Sequence, residues 1–599
     1  MIQVKKGDAY QIGVTVLNDN SVNIAVAMDS EDCGLVLYHK KSDKVEKVAF
    51  PVEYQIGDMY CVNVSGFEPS EWNYNFYSND EVIVDQYAKS IVDNTEYGEI
   101  PVDLKASFYT SNFDWEDDKT LMIPYHQSLF YLMHPRGFTK HKSSGVKNPG
   151  TFEGIVEKIP YLKELGVTGI ILTPSYEFVE KEPVVMIQER IPLAYQEKEA
   201  RLNYWGYKKG YYFSPKSGYC KKGVNASDEF KNMVKQLHKN GIEVIMQFYF
   251  SGGEKQATIL KILQYWLLEY HVDGFHLLGD CVPDGVIATE PILKKTKLIY
   301  YGFPTDEIYR KKVPAYLNLA ECRDEYAFDM RRFLKSDERS LRNVMHHVKA
   351  VPKRNGYVHY ITEINGFTLA DLVSYDRKHN EANGENNIDG NPYNASWNCG
   401  VEGKTKKKSI LDLRKKQMKN AFALSLLTQS TPMLLMGDEF ANSQQGNNNP
   451  YCQDNEITWL NWQDIESNQD LFTFVKRLIA FRKAYDILHG EKECTMQDVL
   501  ECGYPDLSFH SEEAWKCECD DLTRHFAMLY HDENNFVFIA INMHWVNHDF
   551  ALPKLPKGVV WERVFDTAVS EDKQGKPLKS GKKLSVSDRS IQVLVAKNI

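Results

Sequence analysis

The order of apolar and amphipathic runs between residues 128 and 278 constrains this chain more than any other feature. SLFYLM (128–133) is an apolar run, and TFEGIVEKIPYLKELG (151–166) follows it as an expected helix that stops at Gly166. VTGIILTP (167–174) then reads as a buried strand. In DEFKNMVKQLHKNG (228–241), Phe230, Met233, Val234 and Leu237 fall at i, i+3, i+4 and i+7, which is one face of a helix ending at Gly241. IEVIMQFYF (242–250) is another apolar strand, TILKILQYWLLEY (258–270) another helix, and VDGFHLL (272–278) another strand. Strand and helix in strict alternation mean parallel βαβ units. Repeated across residues 111–490, they predict a (β/α)8 TIM barrel, an α/β barrel whose sites sit at the C-terminal ends of its strands.

Both ends of the chain differ from this middle block. Residues 1–110 carry short alternating runs with turn signals between them: YQIGVTVL, VNIAVAM, CGLVLYH, KVAFPVEY, MYCVNVSG and NYNFYS. Residues 491–599 return to short strands, with HFAMLYH, NNFVFIAINM and SIQVLVA. Period-2 alternation at regular spacing predicts a β-sandwich at each end. The expected organisation is therefore a central barrel flanked by an N-terminal and a C-terminal β-sandwich.

Charge and cysteine usage narrow the function classes. The net charge of −11 argues against nucleic acid or an anionic membrane as the main partner. No apolar run approaches the length of a membrane span, and MIQVKKGDAYQIGV has no apolar stretch of the secretory type. The 11 cysteines are odd in number and scattered, which suits a reduced, cytoplasmic protein. Cys517 and Cys519 form the one close pair, with no second pair at metal spacing, so no metal or organic cofactor is implied.

Five longer stretches carry a family resemblance. They are HPRGFTKHKSSGVKNPGTFEGIVEKIPYLKELGVTGI, NYWGYKKGYYFSP, EFKNMVKQLHKNGIEVI, GFTLADLVSYDRKHNEANGE and PMLLMGDEFANSQQGNNNPYCQDNEITWLNW. In this order they resemble the α-amylase superfamily, and within it the glycogen-debranching, isoamylase and pullulanase branch. VIVDQYAKSI (82–91) is similar to the end of the starch-binding sandwich of such enzymes, and PDLSFH and VFDTA to landmarks of their C-terminal sandwich. The resemblance implies a retaining glycoside hydrolase acting on α-1,6 branch points, with two carboxyl groups roughly 5 Å apart. A third acid, two histidines and an arginine would hold the distorted sugar.

Carried over position by position, those residues are replaced. Gln247 stands for the family's Asp at the first strand end, and Ser251 and Gly252 for the Asn-His that follows. In HVDGFHLLGD, His276 stands for the arginine and Leu278 for the nucleophilic Asp. Tyr301 stands for the acid/base Glu, and Ile364 and Asn365 for His-Asp. Leu278 cannot attack a sugar carbon, Tyr301 has an ordinary pKa near 10, and Asn365 carries no charge. The excursion that walls the family's cleft is reduced to Ser251–Ala257.

The resemblance therefore implies a catalytically silent relative. It would bind α-glucan (glycogen or starch) or act as a subunit beside an active debranching enzyme. The competing expectation is a hydrolase with relocated chemistry. Asp280 lies two residues past Leu278 and Glu363 two before Asn365, so each can share a face with the lost group. Against this, Asp280 can simply meet solvent and Glu363 pair within the barrel. Tyr204, Trp205 and Tyr207 are candidates for sugar stacking or for packing. Asp438 and Glu439 in GDEF are expected to support the last strand, and KHNEANGE to be a hydrogen-bonded loop near the cleft. The basic run GKTKKKS (403–409) reads as a solvated loop.

Overall fold

The computed structural model describes residues 2–92, 94, 96–101, 103–181, 201–310, 312–569, 577–579 and 581–598. Eight parallel strands close into a barrel: β1 (Phe130–Met133), β2 (Gly169–Leu172), β3 (Glu243–Tyr249), β4 (Gly274–Leu278), β5 (Lys297–Tyr300), β6 (Leu319–Cys322), β7 (Gly356–His359) and β8 (Thr431–Leu435). β8 returns to pair with β1. The side-chain alternation of a strand sorts the residues into two cores. Phe130, Leu132, Ile171, Ile245, Ile299, Val358 and Met433 fill the barrel. Tyr131, Ile170, Val244, Met246, Phe248, Phe275 and Leu277 face outward and pack under the helices.

The helix expected over 151–166 is two helices, Phe152–Glu157 and Ile159–Leu165. Pro160 explains the break: it has no N–H to donate back into the first helix, and it sits in the first turn of the second, where none is needed. Gly166 ends the second helix at φ +94°, a conformation that favours glycine. The face read at Phe230, Met233, Val234 and Leu237 is buried in helix Ala226–Lys239, whose first turn is capped by the Asn225 side chain. Helix Gln256–Tyr270 begins two residues earlier than the sequence suggests, so only residues 250–255 join it to β3.

At the base of the barrel, the N-terminal ends of β3 and β5 place Lys297 against Glu243. Nζ donates to both carboxylate oxygens at 2.6 and 2.7 Å, and both side chains are buried. This pair lies at the end of the barrel opposite the strand C-termini.

The N-terminal region is two antiparallel sheets around a core of its own. One sheet runs Gln3–Lys6, Met59–Ser65, Val22–Ala27, Gly13–Val16; the other runs Ile91–Val92, Lys105–Ser107, Trp72–Ser78, Cys33–His39, Val45–Ala49. Ile24, Leu35, Val62 and Phe76 lie between them. The C-terminal region has a five-stranded antiparallel sheet, Leu507–His510, His525–His531, Phe536–Asn542, Ser590–Asn598, Val559–Asp566, and a two-stranded sheet, His548–Ala551 with Lys583–Val586. One face of the larger sheet, through Phe526, Tyr530, Ile539 and Ile591, joins the core that lies outside the barrel strands. Among the described residues, no helix is long and apolar enough to cross a membrane.

Candidate active site

The C-terminal ends of the barrel strands open into a cavity of about 510 Å³. β3 contributes Gln247 and Tyr249, β4 and its turn His276 to Asp280, β5 Tyr300 with Tyr301 just after it, and β6 Cys322, followed by Asp324 at the start of helix Asp324–Lys335. The segment after β7 contributes Tyr360, Glu363, Ile364 and Asn365, and Tyr207 closes one side. A second cavity of about 400 Å³ adjoins it, sharing Asp324, Tyr360, Glu363 and Asn365. Register sets these neighbours: Gln247 lies opposite His276, and Tyr249 opposite Leu278.

A neutral hydrogen-bond chain occupies the floor. Tyr207 Oη donates to Gln247 Oε1 at 2.7 Å, and Gln247 Nε2 lies 3.1 Å from His276 Nδ1. The amide donates there, so Nδ1 is the acceptor and the ring is uncharged. Burial holds the His276 pKa down at about 4, consistent with an uncharged ring. No member of the chain carries charge at neutral pH.

β4 ends on Leu278, half-buried at the cavity wall. Gly279 follows at φ +103°, and a Cβ there would collide with the Phe250 carbonyl oxygen, so only glycine makes this turn. Asp280, just beyond, is exposed. Tyr301 is 62% exposed, and the Arg323 guanidinium stands 5.8 Å from its ring centre. Ile364 is buried while Asn365 meets solvent. Ser251 and Gly252 are exposed on the 250–255 loop, held by Glu254, which accepts from Ser251 Oγ and from the Gly252 backbone, both at 3.0 Å.

Glu363 is the carboxyl group with unusual chemistry in this cavity. Burial raises its pKa to about 7; Asp324 raises it further and Arg331 opposes them. Tyr360 Oη donates to Asp324, and Arg331 Nε donates to the Ile361 carbonyl at 2.6 Å. Sequence reasoning singles out neither Asp324, Tyr360 nor Arg331. Asp324 follows LAEC, a four-residue strand with no periodic signal of its own, so only barrel closure brings it to Glu363.

Of the three aromatic candidates, only Tyr207 lines the cavity. Tyr204 is 1% exposed and stacks on His134 at 4.0 Å between ring centres. Trp205 is 5% exposed, with its ring edge-on to Tyr207 and Tyr451. Neither presents a face that a sugar ring can reach, so both are packing residues here. Asp438 and Glu439 are buried beside the barrel. Asp438 accepts from Thr362 Oγ1 and from the Leu369 backbone, and Glu439 from Tyr131 and Tyr161. Asn380, in KHNEANGE, bonds Asp389 and Asn448 in a loop network.

Comparison with known proteins gives this site its context. Residues 132–252 match the α-amylase catalytic-domain family. The chain is 30% identical to isoamylase 1, chloroplastic, of Oryza sativa subsp. japonica, over 94% of this chain and 82% of that protein. The chain belongs to the glycogen-debranching branch of the α-amylase superfamily. This debranching-family chain is also 33% identical to a glycogen operon protein GlgX homolog of Haemophilus influenzae, over 66% of this chain and 69% of that one. Its fold matches the catalytic module of a multi-modular glycogen-degrading pneumococcal virulence factor, with TM-score 0.74 and 16% identity, covering 98% and 97% of the two chains. It also matches pullulanase type I of Bacillus subtilis complexed with maltose, with TM-score 0.71 and 18% identity, covering 98% and 85%. In the debranching-family frame, the strand ends from which the resemblance implies three acids carry Leu278, Tyr301 and Asn365.

Proposed function

We propose that this debranching-family chain holds α-glucan at the mouth of its barrel without hydrolysing it, and that it works beside an active debranching enzyme in a reducing, cytoplasmic setting. The observation that carries this reading is the uncharged floor of the cavity. Retaining hydrolysis needs a nucleophilic carboxylate and a carboxylic acid about 5–5.5 Å apart across the scissile bond. Here β4 ends on Leu278, β5 leads into Tyr301, and Tyr207, Gln247 and His276 satisfy one another with neutral hydrogen bonds. Glucan as the ligand is supported by the relatives, named isoamylases and glycogen operon proteins, and by fold neighbours described in complex with maltose or maltotetraose.

A second reading rests on one observation, the carboxyl of Glu363 near neutrality. A group of that pKa can donate or accept a proton at physiological pH. Asp280 is the partner the sequence suggests, and it lines the cavity from an exposed position, while the carboxylate acting on Glu363 is Asp324. A relocated hydrolase would use Glu363 with Asp280 or Asp324.

Affinity electrophoresis in gels containing glycogen or amylopectin tests the binding. The expected result is retardation of the wild-type chain relative to an inert protein, reduced several-fold by Tyr207→Ala. Equal mobility with and without glucan would overturn the reading.

A further inference from the structure

We propose that the C-terminal region contains a metal site, formed by Glu512, His525 and His548, for one divalent transition-metal ion of the zinc class. One ligand atom from each of these side chains lies within 4.8 Å of the others; no other trio of His, Cys, Asp or Glu among the described residues meets that condition. Glu512 Oε1 stands 2.8 Å from His525 Nε2 and 3.4 Å from His548 Nδ1. Two ring nitrogens therefore converge on one carboxylate oxygen. The imidazoles stack with centres 3.8 Å apart and planes 20° from parallel, which holds both nitrogens on the same side.

Two imidazoles and a carboxylate form a known zinc ligand set, with a fourth position for water. Bonds of about 2.0–2.2 Å to each donor require only small side-chain movements from the present separations. Imidazole ligation favours Zn²⁺, Cu²⁺ or Ni²⁺ over Mg²⁺ and Ca²⁺, which prefer all-oxygen shells. Glu512 is exposed and the two histidines are half-buried, so an ion has an open approach.

The placement gives the ion a structural role. Glu512 follows strand Leu507–His510, and His525 opens strand His525–His531, both in the five-stranded sheet. His548 opens strand His548–Ala551 of the two-stranded sheet. A bound ion would tie the two sheets together at one end. The three ligands come from three separate segments, so no local spacing announces them in the sequence. Nothing in this argument depends on the glucan reading.

The experiment is a Co²⁺ titration of the full chain, followed by its visible spectrum. All eleven cysteines are free, so thiolate binding has to be told apart. The proposed site gives d–d absorption without a thiolate-to-cobalt charge-transfer band, saturating at one ion per chain. His525→Ala and His548→Ala are each expected to weaken binding at least tenfold. Glu512→Ala, at an exposed position, covers the case in which a histidine variant fails to fold. In wild type, Zn²⁺ should raise Tm, and in Glu512→Ala it should not. A spectrum dominated by thiolate charge transfer would overturn the proposal, as would equal affinity in wild type and Glu512→Ala.

Discussion

Asp438 shows how far burial alone can move a carboxyl group in this molecule. Its pKa is raised from 3.8 to about 8, first by burial and against the hydrogen bonds from Thr362 and Leu369. A group held protonated in the fold stabilises it fully below the unfolded pKa, and that contribution is lost as pH rises through the folded value. Asp438 should therefore make stability fall between about pH 4 and pH 8. Asp438→Asn keeps the shape and cannot ionise, so denaturant unfolding at pH 5 and pH 8 should differ less in the variant than in wild type. An unchanged difference would show that Asp438 does not titrate in that window. The sequence presents GDEF as two acids and hides that both are buried, because their partners, Thr362 and Leu369 for Asp438 and Tyr131 and Tyr161 for Glu439, come from distant segments. The same limit applies at the barrel mouth. The replacement of acids by Leu278, Tyr301 and Asn365 is legible in the sequence. The neutral contacts among Tyr207, Gln247 and His276 are not, since strand register pairs Gln247 with His276 and a distant loop brings in Tyr207.

At the level of elements, the strands inside continuous apolar runs are legible, even at four residues as in β1 and β2, and those without such a run are not. β3 and the helices on either side of it announce themselves by period and length, whereas β6 and β7 have four residues each. The barrel base depends on a pair that no local pattern reveals, Lys297 on β5 with Glu243 on β3, with β4 between them. Breaking a buried ion pair leaves one charge without a partner and costs about 3–5 kcal/mol. Lys297→Met is expected to lower unfolding free energy by about that amount. Adding Glu243→Gln should recover part of the loss, because the orphaned carboxylate is then removed. A double variant less stable than Lys297→Met would contradict this account of the base.

For the whole molecule, the three-part division is legible because composition changes twice along the chain, from alternating strands to strand–helix units and back. How the parts share their cores is not. The N-terminal sheets enclose a separate apolar cluster, while the C-terminal sheet completes the one outside the barrel strands. The fold matches pullulanase-type structures over nearly the whole chain, and the replacements that the resemblance picks out gather at the mouth of the barrel. That contrast is the ground for the central claim, that the cleft persists while the family's hydrolysis does not. The most direct test is reducing-end release from glycogen and amylopectin, measured over hours at high protein concentration. The control is a chain from the same preparation carrying Asp280→Asn, Asp324→Asn and Glu363→Gln, which exposes any host amylase. The expected result is no release above that control. Release by wild type that disappears in the control would contradict the claim and assign hydrolysis to the relocated carboxylates.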